Sequence, residues 1–211
     1  MIKVIIADDH PVVRAGMKQV LAESEDILVT AEAESGEALI RKLQRGDYHV
    51  VLLDISMPGI GGLDALRRIR ELKPNLPVLM LTIHPEEQFA LRALKAGASG
   101  YLNKASAPDE LVSAIRQVAA GRRYITPSLA ARVAEGMSRN RDFDRLPHEW
   151  LSDREYQVMC MIAGGNTVSD IAATINLSVK TVSTYRARIL EKMGMDSSAE
   201  LAAYAIKNGL C

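Results

Sequence analysis

Cysteine is nearly absent. Cys160 and Cys211 are the only two in 211 residues and have no metal-ligand spacing. That excludes a disulfide framework and leaves Cys160 as a small buried hydrophobe. Aromatic residues make up only 4% of the chain, so aliphatic side chains must fill the core. No apolar run approaches the roughly 20 residues that a bilayer span requires. The opening stretch, Met1 to Asp9, is cut short by acids where a signal peptide would continue. The expectation is a cytoplasmic protein with no membrane partner. Net charge is zero, so no global field argues for nucleic acid.

What is present is 48% hydrophobic and 25% charged residues, a soluble globular profile long enough for two small domains. The charge is unevenly spread. Residues 1–120 hold 14 basic and 16 acidic side chains, residues 121–145 hold 6 and 3, and residues 146–211 hold 6 and 7.

Five apolar, β-branched runs recur in the first 120 residues: Val4 to Ala7, Ile27 to Ala31, Val50 to Leu53, Val78 to Thr82 and Ser99 to Leu102. Segments with helical spacing separate them, such as Val12, Val13, Met17, Val20 and Leu21, or Leu63, Leu66, Ile69 and Leu72. Helix starts are marked by Ser35 and by Pro108-Asp109-Glu110, and Gly97 stands where a helix ends. Strand and helix alternate five times, which predicts a parallel sheet covered by helices on both faces.

In such a sheet the carboxyl ends of the strands open on one edge, where open α/β sheets place their ligands. Asp8-Asp9 follow the first strand, Asp54 ends the third, Thr82 the fourth, and Lys104 follows the fifth. Singly, each has a plain explanation: an acid that closes a strand, a strand threonine, a solvated lysine. Together they place three carboxylates, a hydroxyl and an ammonium on one rim. Two like charges about 4 Å apart repel by roughly 4 kcal/mol at an effective dielectric near 20, so such a cluster calls for a cation. Few, hard oxygen ligands suit Mg²⁺.

With the turn Asp54-Ile55-Ser56-Met57-Pro58-Gly59, these residues resemble the receiver domain of two-component response regulators, a flavodoxin-like (βα)5 fold. The resemblance implies that Asp54 accepts a phosphoryl group from a sensor histidine kinase. It implies Mg²⁺ on Asp9, Asp54 and the Ser56 carbonyl, with Asp8 acting through water. Thr82 and Lys104 would contact phosphoryl oxygens, and Tyr101 would be the switch aromatic. The chain departs from many receivers in placing Ala105, not proline, after Lys104.

Residues 122–147 read as a linker with a short helix, Ser128 to Met137, followed by a polar stretch rich in arginine. Its arginines either touch DNA phosphates or keep the segment solvated. From Leu151 the pattern is purely helical. Ser152 and Glu155 form a capping box, Gly164-Gly165 end the first helix, and Asn176-Leu177 make a tight turn before a longer helix from Val179 to Met193. Two helices joined in this way form a helix-turn-helix, whose second helix enters the major groove. On that helix Val182, Ile189 and Met193 share the core face. Lys180, Thr181, Ser183, Thr184, Tyr185, Arg188 and Lys192 are the candidate DNA contacts, and the helix carries a net charge of +3. Charge alone would favour a solvated face of an ordinary four-helix unit.

Leu151-Ser152-Asp153-Arg154-Glu155, Leu177-Ser178-Val179-Lys180-Thr181-Val182 and Lys192-Met193-Gly194 resemble the LuxR-type helix-turn-helix. Joined to a receiver, they resemble the NarL/FixJ group over nearly the whole chain, nearest the subgroup that includes BvgA and EvgA. Many relatives carry lysine in place of Ser183 and histidine in place of Tyr185. The expected organisation is a receiver over 1–121, the linker, and an all-α four-helix DNA-binding domain over 148–211. The expected function is a phosphorylation-switched transcription regulator, not an enzyme, that binds double-stranded promoter half-sites as a homodimer. The last helix, with Ala199, Leu201, Ala202 and Ala205, matches the family's dimerisation helix, although its small residues also suit an internal core. A phosphatase working through an aspartyl-phosphate is disfavoured because Ser56 stands where haloacid dehalogenase-like enzymes carry a second Asp. A receiver that is never phosphorylated is disfavoured because all five pocket residues are present.

Overall fold

The computed structural model describes residues 1–82, 86–126 and 146–210. They form two compact units, one on each side of residues 127–145 in the chain. The helix expected at Ser128–Met137 and the polar stretch after it lie outside the described residues.

The first unit alternates β1 (Ile2–Ala7), α1 (Pro11–Ala22), β2 (Ile27–Ala33), α2 (Gly36–Leu43), β3 (Val50–Asp54), α3 (Gly62–Leu72), β4 (Val78–Thr82), α4 (Glu86–Lys95), β5 (Gly100–Asn103) and α5 (Pro108–Ala119). The sheet is parallel, in the order β2-β1-β3-β4-β5. Every residue of β3 and β4 is buried, because helices cover both faces, and that is why these strands read as unbroken apolar runs. Val4, Ile6, Val50, Leu52, Leu79 and Leu81 meet Met17 and Leu21 of α1 and Leu111, Ile115 and Val118 of α5. Strand order reverses between β1 and β3, so the crevice at that switch point lies between the ends that carry Asp8-Asp9 and Asp54.

Local chemistry sets the helix boundaries. Ser35 caps α2 by accepting from Ala38 N, and Pro108 opens α5. Gly97 ends α4 at φ +97°, a left-handed conformation that glycine adopts without steric cost. Two residues of the expected helical stripes are not core. Val12 is 82% exposed because Val13, Met17 and Val20 define the inward face, and Leu72 is the exposed last residue of α3. Past α5 the chain stays on the sheet. Tyr124 bridges to Gly100, and its hydroxyl donates to Glu110 at 2.6 Å, so these residues pack on the first unit although the sequence places them in the linker.

The second unit opens with a 3-10 turn, Pro147–Trp150, followed by α6 (Asp153–Ala163), α7 (Val168–Thr174), α8 (Val179–Met193) and α9 (Ser198–Lys207). Hydroxyl groups of Ser152, Thr167, Ser178 and Ser197 cap the four helices. Val158, Met159, Ile171, Val182, Ile189, Leu201 and Ala205 form the core. Cys160 is buried, with Sγ 3.6 Å from the Leu210 carbonyl, in keeping with a small core residue. Among the described residues no helix is long and apolar enough to cross a membrane.

Gly62 joins fold to site. A Cβ there would lie 2.0 Å from the Asp54 carbonyl oxygen and 2.7 Å from Ile55 Cα, both backbone atoms with little room to give. Alanine normally favours a helix by about 1 kcal/mol over glycine. Here the clash outweighs that gain. We expect Gly62→Ala to destabilise the full chain by about 1–3 kcal/mol in urea unfolding followed by circular dichroism. An unchanged midpoint would show that the β3–α3 turn yields freely.

Candidate functional site

The five residues collected from the strand ends lie together. Asp8, Asp54 and Thr82 are buried, and Lys104 is nearly so. Lys104 Nζ lies 2.6 Å from Asp8 Oδ2 and 2.9 Å from Asp54 Oδ1, so one ammonium holds two carboxylates. The lysine is held there by its backbone, which donates to the Thr82 carbonyl at 2.7 Å. No cis peptide occurs among the described residues, so Lys104-Ala105 is trans, and Ala105 N donates to Asn103 Oδ1 at 2.8 Å.

Charge is not balanced in this pocket. Burial pushes the Asp54 carboxyl above its ordinary value; Lys104 opposes that, Asp8 adds to it, and the Ser56 backbone amide partly relieves it. Asp54 Oδ2 is buried with no hydrogen-bond partner among the described residues. Ligand atoms of Asp8, Asp9, His10 and Asp54 all lie within 4.8 Å of one another. Hard carboxylate oxygens with an unmet acceptor among them are the donor set of a small divalent cation. His10 was not singled out from the sequence. Its Nδ1 lies 2.8 Å from Asp9 Oδ1, and the available signal was an imidazole directly after the acid pair.

The loop after Asp54 is braced from α2. Glu37 Oε1 accepts from Ile60 N at 3.0 Å, and Gly59 takes φ +68° beside that carboxylate. Tyr101, on β5, is fully buried.

In the second unit, the turn between α7 and α8 passes through Asn176 at φ +52°, which asparagine tolerates, and Leu177 N returns to the Ala172 carbonyl at 2.9 Å. Arg154 is buried beneath it. Its guanidinium donates to Gln157 Oε1 at 2.6 Å and to the Ile175 carbonyl at 3.2 Å, tying α6 to the turn. In the sequence Arg154 stands out only as part of the Leu151–Glu155 motif, because nothing local shows that its charge is spent inside the fold.

The candidate DNA residues separate on α8. Lys180, Ser183, Thr184 and Arg188 are exposed, while Thr181 and Tyr185 are half-buried. Thr181 is engaged at the cap, its amide 3.1 Å and its hydroxyl 2.7 Å from Ser178 Oγ. Thr184 Oγ1 donates to the Lys180 carbonyl at 3.0 Å. Lys192 Nζ pairs with Glu155 at 2.6 Å, and Arg186 Nε donates to Ser198 Oγ at 2.8 Å. Two of the four cations on this helix therefore brace neighbouring helices, and Lys180 and Arg188 are left facing outward.

Comparison with known proteins agrees with this geometry. Residues 4–116 match the response regulator receiver domain, and residues 149–205 match the bacterial regulatory proteins of the luxR family. The chain is 42% identical over 211 residues to the response regulator UvrY of Escherichia coli K12, covering all of this chain and 96% of that one. It is 41% identical over 210 residues to the response regulator GacA of Pseudomonas aeruginosa, covering 98% of that protein. Among solved structures, RcsB from Salmonella enterica serovar Typhimurium, bound to a promoter in the presence of the phosphomimetic BeF3⁻, superposes with a TM-score of 0.65 at 30% identity, over 96% of this chain and 97% of that one.

Glu155 serves both the α6 cap and the Lys192 pair. Burial alone would raise its carboxyl, but hydrogen bonds from Lys192 and from the Ser152 amide and hydroxyl hold it below its ordinary value. A lowered carboxylate contributes stability that is present above the unfolded-state value and is lost as pH falls through the folded one. The stability of this unit is therefore expected to fall below about pH 4.5, and to fall less steeply in Glu155→Gln. Fluorescence of Trp150, the single tryptophan, reports the unit directly. Identical pH profiles for wild type and variant would exclude Glu155 as the group responsible.

Proposed function

The chain belongs to the two-component response regulators of the NarL/FixJ group, DNA-binding transcription regulators that join a receiver to a LuxR-type helix-turn-helix, and on that premise we propose that Asp54 is the phosphoacceptor controlling its output. The observation that carries this reading is the buried Asp54 Oδ2, without a hydrogen-bond partner among the described residues, beside two further carboxylates and one lysine.

A sensor histidine kinase supplies the phosphoryl group. An oxygen of Asp54 attacks phosphorus, the phosphorus–nitrogen bond of the donor breaks, and its electron pair stays on the departing imidazole. Bound Mg²⁺ supplies charge neutralisation on the transferring group. Asp9, Asp54 and the Ser56 carbonyl would hold that ion, with Asp8 through water. Lys104, already at the Asp54 carboxylate, pairs with a phosphoryl oxygen, and the Thr82 hydroxyl bonds another. The new group adds roughly −1.5 to −2 charge units. Rearrangement of Thr82, with Tyr101 as the aromatic that follows it, biases the surface around β5. The phosphoryl group is a signal, not an intermediate of small-molecule turnover.

Phosphorylation promotes formation of a homodimer through α9, and paired units place α8 in successive major grooves, with half-sites about one helical turn apart or a multiple of that. A change from 1:99 to 99:1 requires roughly 5.5 kcal/mol of differential stabilisation, within reach of phosphoryl contacts together with dimerisation. The structure of RcsB bound to a promoter in the presence of BeF3⁻ supports, by analogy, DNA binding by the phosphorylated form. The protein acts in the cytoplasm, where its DNA lies.

Two experiments test the two halves. With Mg²⁺ and a small-molecule phosphodonor, wild type incorporates label and Asp54→Asn does not; equal labelling would refute the assignment. Lys180→Ala and Arg188→Ala each weaken binding to target DNA and lower the salt slope by about 1, with Asp54 labelling intact. Undiminished affinity in both would remove α8 as the DNA-reading helix.

A further inference from the structure

We propose that His10 makes the acidic pocket a mixed oxygen–nitrogen metal site, which holds borderline divalent ions such as Ni²⁺ or Co²⁺ more tightly than its carboxylates alone would. The proposal rests on the reading of Asp54 and its neighbours as a cation pocket, and adds a ligand to it.

His10 occupies the cap position before α1, yet its side chain makes no cap hydrogen bond. The ring instead turns toward the acids, with Nδ1 2.8 Å from Asp9 Oδ1 and 3.3 Å from Asp8 Oδ1. Its backbone amide donates to Asp8 Oδ1 at 2.8 Å, which fixes the direction of the chain at this point. Ligands about 2.1 Å from a small cation stand roughly 3 Å apart when adjacent and about 4.2 Å apart when opposite. The ligand atoms of Asp9, His10 and Asp54, which with Asp8 all lie within 4.8 Å of one another, need little movement to reach that spacing, and Asp8, engaged by Lys104 and the His10 amide, stays a partner through water. Independently, the buried Asp54 Oδ2 lacks a hydrogen-bond partner among the described residues. The outer side of the imidazole is open, since the His10 side chain is 62% exposed, so the ring can pivot without opening the core.

The chemistry of the donors then sets the preference. Carboxylate and carbonyl oxygens suit Mg²⁺, whereas imidazole suits Ni²⁺, Co²⁺ and Zn²⁺, which also bind a given site more tightly along the Irving–Williams order. An all-oxygen pocket obeys the same order, so His10 widens the preference for Ni²⁺ and Co²⁺ over Mg²⁺ and makes the occupant more sensitive to the divalent metals available.

The test titrates the full chain with MgCl₂ and with NiCl₂ by calorimetry, in wild type, His10→Asn and Asp54→Asn. Asparagine is chosen because it is a good helix cap, which protects the start of α1. Co²⁺-loaded wild type and His10→Asn are then compared by paramagnetic NMR for shifted imidazole resonances. The expected result is a Ni²⁺ affinity at least about tenfold weaker in His10→Asn, with Mg²⁺ affinity changed by less than about twofold, and loss of one shifted imidazole. If both affinities are unchanged, or both fall equally, the ring is only a hydrogen-bond partner of Asp9 and the proposal is overturned. If Asp54→Asn binds Mg²⁺ as wild type does, the pocket reading itself fails, and the proposal with it.

Discussion

One ammonium group holds the first unit's functional edge in place. Asp8 and Asp54 come from different strands, both are buried, and Lys104 reaches them from the loop after a third strand at 2.6 and 2.9 Å. Like charges at this separation cannot be brought together without compensation. The backbone bond from Lys104 to the Thr82 carbonyl carries the constraint to β4 as well. Four strand ends are thus coupled through one residue, and any group that competes for its ammonium acts on the two carboxylates at the ends of β1 and β3. A phosphoryl group on Asp54, as proposed above, would be such a competitor.

The second unit solves a different problem with similar means. A helix-turn-helix must keep a basic helix exposed while fixing its angle to its neighbours. Arg154 is buried beneath the turn, Lys192 pairs with Glu155, and Arg186 reaches Ser198. Of these, Lys192 is also a candidate DNA contact, and it braces α6 from an exposed position. Lys180 and Arg188 are exposed on α8, as is Lys192 beside Glu155. The helix keeps its net charge, but less of it faces outward than a count along the chain suggests.

Much of the fold was legible from local patterns. The five strands fall where the β-branched runs are; in β3 and β4 burial on both faces forces an unbroken apolar sequence, while the edge strand β2 tolerates polar residues. Caps at Ser35, Ser152 and Ser178 and the glycine at 97 mark their boundaries because hydroxyl capping and left-handed glycine are properties of a few adjacent residues. Val12 and Leu72 misled because helical spacing identifies a stripe without fixing its edges or its last turn. The stretch around Tyr124 closes the first unit a few residues beyond the boundary expected at 121, because its bridge to Gly100 joins residues far apart in sequence.

By itself the sequence determined the order of strands and helices, the carboxylates at strand ends, and the capped helical pairs, since each depends on neighbours within a few positions. Only the tertiary structure decided which charges meet. That Lys104 spans Asp8 and Asp54, that His10 turns its ring onto Asp9, and that Lys192 pairs with Glu155 while still partly open to solvent are consequences of packing between distant segments. Electrostatic partnership depends on separation and burial, and neither is written in spacing along the chain.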